Sequence, residues 1–534
     1  MIDSIRRLSR PFRLRLAAVS AAASLLCGAV LAQPAANQLT ISLNPEPSGL
    51  VAAFNTDSNL QMVSAKMHEG LLDYDAQLKP VPALAESWTV SADGRTITFR
   101  LRKGVKWHDG ADFTSADVKF TIEKVLSKLN PRGRATFANL QEVATPDPHT
   151  AVIRLSNPAP YLMNGLAAFE SPMLPKHVYD DGQDLMRHPA LAAPVGTGPF
   201  AFGEWKKGSY VLLKRNQNYW AAGKPKLDQV IFRILPDPSV RAVAFEKGEV
   251  DLGPMWPVPL PEMERLQKGG KVVANERGYA LMSGMLYFGF NVRDGHFKDV
   301  RVRRAVAHAI NLEVLSKVVW RGAATPATSP ISDQLVTFHD KASKGYAYDV
   351  KKAEALLDEA GLKRGPDGIR FKTSYDPLLW DENYRRTADF IKQSLKRVGI
   401  EMDVRAQDLP TFMRRVWTDV DFDTYSHGSF NSADPTIGVQ RLYWGKNILK
   451  GVPFSNGSGY SNPAMDQLWE RAQTENDPAA RAALFRDIQR IAMEDLPYLP
   501  LLNLHYQTLQ NKRVRGLESS AAGMYGTFAD VRVD

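Results

Sequence analysis

The sequence predicts mixed α/β lobes, more than one of them, and three observations carry the prediction. Strand-like and helix-like patterns alternate irregularly along the chain, which argues against a barrel or a helical bundle. The chain has 534 residues, 44% of them apolar, whereas a single core stops growing near ~250–300 residues. No repeat or low-complexity tract interrupts the pattern, and the proline clusters at 254–261 and 366–377 read as surface loops.

Residues 1–32 read as a secretory signal. Arg6, Arg7, Arg10, Arg13 and Arg15 form a basic start, 16–31 is apolar or small throughout, and Val30-Leu31-Ala32 offers small residues for cleavage. Gln33 is then the first mature residue. The apolar run is short for a membrane span, which needs about 20 residues, and no later segment comes close. Arg6-Arg7 lacks the apolar pair that twin-arginine export wants after it. Cys27 is the only cysteine, and Leu26 before it is not the small residue a lipid-attachment site requires. The mature chain is therefore expected to be soluble and free of disulfides, zinc thiolates and thiol nucleophiles. The leader holds five arginines and one aspartate, so its removal takes the formal charge from +9 to +5. That mild balance, with both signs interspersed, excludes a nucleic-acid protein with a basic stripe.

The elements follow in order. Residues 85–123 read as a strand, a tight turn, a second strand and a capped helix. Thr96, Thr98 and Arg100 alternate with Ile97, Phe99 and Leu101, the period of a half-buried strand. Asp93-Gly94 and Asp109-Gly110 supply turn residues that tolerate positive φ. Thr114 with Asp117 starts a helix whose Val118, Ile122, Val125 and Leu129 share one face. Residues 211–213 and 230–235 read as strands, and Asp237-Pro238 opens a helix that ends near Gly248. DVRVRRAVAHAI at 299–310 is amphipathic, with Val302, Val306, Ala309 and Ile310 inward. Residues 349–361 and 381–399 each start at Asp and end at Gly. A strand follows at 400–404, and a last amphipathic helix runs from Asp477-Pro478 to about 494.

A search for catalytic constellations finds none. His68-Glu69 begins like a zincin motif, but Leu72 stands where the second His is needed. Gly196-Thr197-Gly198 runs into Pro199 and is a turn. Gly457-Ser458-Gly459 is not a nucleophile elbow. There is no GK[ST] phosphate loop, the histidines show no metal-ligand spacing, and no carboxylate pair stands out. The chain is expected to bind without catalysis and without a cofactor or metal.

The run AESWTVSADGRTITFRLRKGVKWHDG, followed by TSADV, resembles the hallmark segment of the bacterial extracellular solute-binding proteins of family 5. These serve ABC importers of peptides, nickel and opines. The run departs from the family pattern mainly at Ser115. GTGPF at 196–200, NQNYW and GKPKLD within 216–228, FEKGEVDL at 245–252, the 299–310 helix and SNPAMDQL at 461–468 resemble the family too, in order and spacing. The resemblance implies a two-lobed periplasmic binding protein of Venus-flytrap form. Lobe one takes 33–280 with 500–534 and carries an extra subdomain at 79–187; lobe two takes 281–499. It implies a periplasmic monomer that engulfs a solute and hands it to an ABC permease and its ATPase. The alternatives are a periplasmic hydrolase on an unfamiliar scaffold and a ligand-sensing receptor without transport.

The resemblance also places candidate ligand contacts. In peptide-binding relatives the loop after one lobe-two strand carries an Asp that pairs with the ligand ammonium. Asn431 or Ser432 stands at that position here, and Asp434 follows against Pro435. An Arg that grips the ligand carboxylate in dipeptide-binding relatives is matched by Leu378 or Leu379. A free dipeptide would leave both termini without countercharges, costing several kcal/mol per ion in a dry cleft, so a dipeptide is not the expected ligand. What remains is aromatic and neutral: Trp380, Trp417 and Phe430 in lobe two, Phe137 and Trp256 in lobe one. Met413 lies one helical turn before Trp417. Ser429 and Asn431 are candidates for hydrogen bonding, and Asp434 for pairing with a cation. Such walls suit a longer peptide, an opine, a sugar-like compound, a metal chelate or an aromatic acid.

Overall fold

A computed structural model describes residues 37–534; the leader, Cys27 and Gln33 lie outside the described residues. Among the described residues the chain builds a seven-stranded, a six-stranded and a four-stranded sheet and two two-stranded ones. The seven-stranded sheet runs in the order Val272–Asn275, Thr508–Asn511, Leu252–Gly253, Gln38–Leu43, Gln229–Ile234, Tyr210–Arg215 and Phe200–Lys206. The six-stranded sheet runs Ala324–Pro326, Tyr498–Leu504, Gly284–Phe290, Thr424–Phe430, Phe371–Pro377 and Ile400–Val404. Its flanking helices begin where the Asp signals put them: Val300–Ala309, Val350–Glu359, Glu382–Arg397 and Pro478–Asp495 each follow an Asp that accepts from first-turn N–H groups. Among the described residues no helix is long and apolar enough to cross a membrane.

Two central strands of the six-stranded sheet escape the period-2 test because both their faces are covered. Every residue of Gly284–Phe290 and of Tyr498–Leu504 is buried, so each reads as a continuous apolar run. This corrects one boundary. The expected return to lobe one at residue 500 falls inside Tyr498–Leu504, which pairs with Gly284–Phe290 on one side and Ala324–Pro326 on the other. The chain passes between the large sheets at 276–283 and again at 505–507.

The hallmark segment forms part of the small sheet, ordered Ala85–Val90, Thr96–Leu101, Thr150–Leu155 and Leu140–Asp147. Asp117 accepts the Thr114 backbone N–H at 2.8 Å and so caps Ser115–Phe120. Val118, Ile122 and Val125 bury against Phe99, Trp107 and Phe113. Gly94, at φ +68°, turns the hairpin, and a Cβ there would lie 2.4 Å from the Asn476 side chain. The hairpin at 85–101 therefore approaches the loop that joins the helices Pro463–Thr474 and Pro478–Asp495.

His68-Glu69, the zincin-like pair, is a packing joint. Tyr219 Oη donates to Glu69 at 2.8 Å, and the Trp220 indole N–H reaches both carboxylate oxygens at 3.1 and 3.2 Å. Burial raises Glu69 to about 7 against the opposing pull of those donors. This gives the NQNYW motif a physical task, tying the 216–220 loop to the helix Ser58–Met67 through a buried acid.

A candidate ligand cleft between the lobes

The two crossings bring aromatic side chains of both lobes together. Trp256, just beyond the short strand Leu252–Gly253, lies 4.6 Å from Tyr506 on the second crossing and 5.5 Å from Trp320 of lobe two, ring centroid to centroid. Tyr506 also meets Tyr279 at 5.8 Å and Phe430 at 6.0 Å, and Trp320 meets Tyr384 at 5.5 Å. Offset and edge contacts of this kind contribute about 0.5–1.5 kcal/mol each beyond burial.

The backbone that aims Trp256 is strained. Met255 and Trp256 hold φ of +52° and +56°, a left-handed conformation that costs roughly 1–2 kcal/mol per residue for L-amino acids. Two hydrogen bonds hold it. The Met255 N–H donates to Tyr279 Oη, and the Trp256 N–H donates to the Gln507 carbonyl, both at 3.0 Å. Both acceptors lie on the crossings, so the loop's geometry is tied to the hinge. The Trp256 indole N–H is itself buried with no partner among the described residues.

A charged group lies along the same interface. Arg441 of lobe two donates from Nη2 to Ser429 Oγ at 2.8 Å and from Nε to the Gly438 carbonyl at 3.2 Å. Within its electrostatic reach are Arg132 and Glu170 from lobe one, paired with each other at 2.9 Å, with side chains only 16% and 10% exposed. Arg441 keeps some accessible surface, yet burial, aided by the Arg132 charge, pulls its pKa down to about 10. Burial raises Glu170, and the two arginines oppose that shift. The lobes also meet where Asn164 Nδ2 donates to Asp434 at 3.1 Å and where Arg321 forks onto Glu264 at 2.7 and 2.8 Å.

The candidates read from the sequence fall into three groups. Trp256 and Phe430 sit at the aromatic seam, and Ser429 accepts from Arg441. Four others are packed among protein partners. Trp417, 2% exposed, donates its indole N–H to the Ser455 carbonyl at 3.1 Å and packs on Phe412, Tyr425 and Phe454. Met413 lies half-buried against that same core. Asn431 is fully buried: its Nδ2 donates to Tyr287 at 2.9 Å and its Oδ1 accepts the Ser332 N–H at 2.6 Å. Phe137 closes the helix Gly133–Thr136 inside the small sheet's core.

Asp434 is engaged as well. Arg481 forks onto it at 2.7 and 2.9 Å, and its Oδ1 caps the Thr436 N–H. Its charge is balanced by Arg481. Trp380 stands 61% exposed, outside the seam. The alternation along Thr424–Phe430 explains part of this sorting: Tyr425 and His427 face the Trp417 core, and Phe430 faces Tyr506. Sequence reasoning missed Arg441, Arg132, Glu170, Trp320, Tyr384 and Tyr506, none of which stands in a motif.

Three comparisons agree on the lineage. A family model described as bacterial extracellular solute-binding proteins, family 5 Middle, matches residues 79–451. The glutathione-binding protein GsiB of Escherichia coli O157:H7 is 30% identical over 86% of this chain and 88% of its own. The structure of NikA from Brucella suis in complex with Fe(III)-EDTA superposes with a TM-score of 0.81 at 26% identity, covering 93% of this chain and all of that one. AgaA from A. tumefacien R10 in complex with agropinic acid gives 0.78 at 26% identity, covering 93% and 99%. With the two-sheet architecture, the chain belongs to family 5 of the bacterial extracellular solute-binding proteins, the solute-binding components of ABC importers.

Proposed function

We propose that this receptor closes on a peptide-like organic solute other than a free dipeptide and releases it chemically unchanged to its permease. The observation that supports this reading is the aromatic seam on the two crossings. A cleft whose walls meet at its only covalent connections opens and closes by bending those connections, and rings from both lobes supply contacts made only on closure. Solute contacts from both lobes then favour the closed form by differential affinity.

Asn431 or Ser432 stands where peptide-binding relatives carry the Asp that pairs with the ligand ammonium, and Asn431 is engaged by Tyr287 and Ser332. Glutathione, named for a relative, is the first solute to try, with tri- to pentapeptides, opines and metal chelates beside it. In a thermal-shift screen the cognate solute raises the melting temperature by mass action, about 2.7 kcal/mol of stabilisation at 100 times Kd. A sub-micromolar dipeptide hit sinks the size and charge reading.

The reading includes export. The intact mass of the periplasmic protein is expected to correspond to a chain starting at Gln33, and a mass that retains residues 1–32 removes the signal from it.

A further inference from the structure

Most deeply placed arginines of this molecule are fully engaged. Arg481 forks onto Asp434 and also donates to the Ala472 carbonyl. Arg303 donates to the carbonyls of Phe297, Lys298, Asp495 and Leu496. Arg441 differs. Like Arg303 it has no carboxylate within ion-pair distance among the described residues, but it makes only the two hydrogen bonds to Ser429 and Gly438, which leave its Nη1 without a hydrogen-bond partner there, with the Phe454 ring 5.9 Å from the guanidinium. Arg132, on lobe one, has a buried Nη2 with no hydrogen-bond partner among the described residues. A guanidinium carries five N–H donors and is never neutral, so two of them closing on a single carboxylate leave donors and charge to spare.

The charge count sharpens this. The charged groups that bear on Arg441 are Arg132 and Glu170. Two cations and one anion leave one positive charge in a low-dielectric seam, and an uncompensated buried charge costs several kcal/mol. One negative charge balances the set; a doubly charged phosphate overshoots it. The planar fork of a guanidinium also matches the planar carboxylate.

Resting on the receptor reading above, we propose that Arg441 and Arg132, on opposite lobes, clamp one carboxylate of the solute, so that the cargo's charge licenses closure. Arg441 belongs to lobe two and Arg132 to lobe one, so the clamp exists only when the lobes meet. It is an anchor at a different place from the two dipeptide anchor positions, which Asn431 or Ser432 and Leu378 or Leu379 occupy here. Ser429 holds Arg441 toward the cleft by accepting from its Nη2. The buried His427 also lies within electrostatic reach of Arg441, and burial keeps it neutral by lowering it to about 4, so it adds no competing charge near pH 7.

The test has two arms. In the first, isothermal calorimetry compares glutathione with glutathione diethyl ester, and pentaglycine with pentaglycine amide, on the mature wild-type protein and on Arg441→Gln and Arg441→Lys. The free acid of a bound pair is expected to bind at least tenfold tighter than its neutral partner. Arg441→Gln is expected to erase that preference, and Arg441→Lys to keep part of it. Acid and neutral partner binding equally to wild type overturns the clamp while leaving the receptor reading intact.

The second arm needs no ligand. Small-angle scattering of the solute-free protein at low salt is expected to show a smaller radius of gyration for Arg441→Gln than for wild type, because the excess charge opposing closure is gone. Identical radii overturn the clamp whatever the first arm finds. If no compound of the first arm binds and no solute of the wider screen shifts melting, the receptor reading is what fails.

Discussion

Replacing Asp434 with alanine is expected to lower the unfolding free energy by about 3–5 kcal/mol, the range for breaking one partner of a buried ion pair. The carboxylate is fully buried and accepts two bonds from Arg481 at 2.7 and 2.9 Å. Its removal strands a guanidinium that is itself buried and whose remaining bonds go to Thr436 Oγ1 and the Ala472 carbonyl. It also removes the cap of the helix Pro435–Gly438, a loss of about 1 kcal/mol on its own. Asp434→Asn separates the two contributions. An asparagine keeps the cap to the Thr436 N–H but carries no charge, so it should recover only the cap's share. Replacing both partners with apolar residues, Asp434→Leu with Arg481→Met, should be milder than either single change, because no charge is left unpaired. Urea denaturation of the four proteins measures this directly. A loss under 1 kcal/mol for Asp434→Ala would mean that the pair behaves as an exposed one. The same variants bear on function: if Asp434 served a ligand cation, folded Asp434→Asn would bind the cognate solute far more weakly than wild type.

The contrast between Asp434 and Arg441 shows where sequence reading reaches its limit. The hairpin at 85–101, the Asp-started helices and the Gly-terminated turns were legible because each rests on local chemistry: alternation, a cap, a positive φ. The central strands Gly284–Phe290 and Tyr498–Leu504 were not, since a strand covered on both faces has no periodicity to read. The cleft was legible only as a place. Resemblance brought attention to the loop 429–435, yet what each side chain does there depends on partners far away in sequence. Asn431 is claimed by Tyr287 and Ser332, and Asp434 by Arg481. Arg441 lies a few residues further on and looks like any of the chain's 67 basic residues. Its distinction is a recessed guanidinium that makes only two hydrogen bonds among the described residues, and that is a property of the fold.

Trp256→Ala is expected to weaken the cognate solute by at least tenfold, whereas Trp256→Phe should stay within about threefold. The reasoning starts from what the indole touches. Its ring spans the junction, against Tyr506 of the crossing and Trp320 of lobe two, so a truncation opens a void at the place where the lobes meet. Large-to-small changes of a buried Trp cost about 3–5 kcal/mol, and the part of that loss felt only in the closed form appears as lost affinity, tenfold for each 1.4 kcal/mol. The indole N–H has no partner among the described residues, so phenylalanine keeps most of the packing and removes an unsatisfied donor. The left-handed backbone at Met255 and Trp256 is held by Tyr279 and Gln507 and not by the ring, which is why the loop should keep its shape in both variants. Calorimetry with the best solute of the thermal-shift screen, paired with scattering to follow closure, reads out each step. Equal loss in Trp256→Phe and Trp256→Ala would assign the effect to the N–H and hence to a hydrogen bond with the solute. Affinity within twofold of wild type in Trp256→Ala would remove the aromatic seam from the closing mechanism altogether.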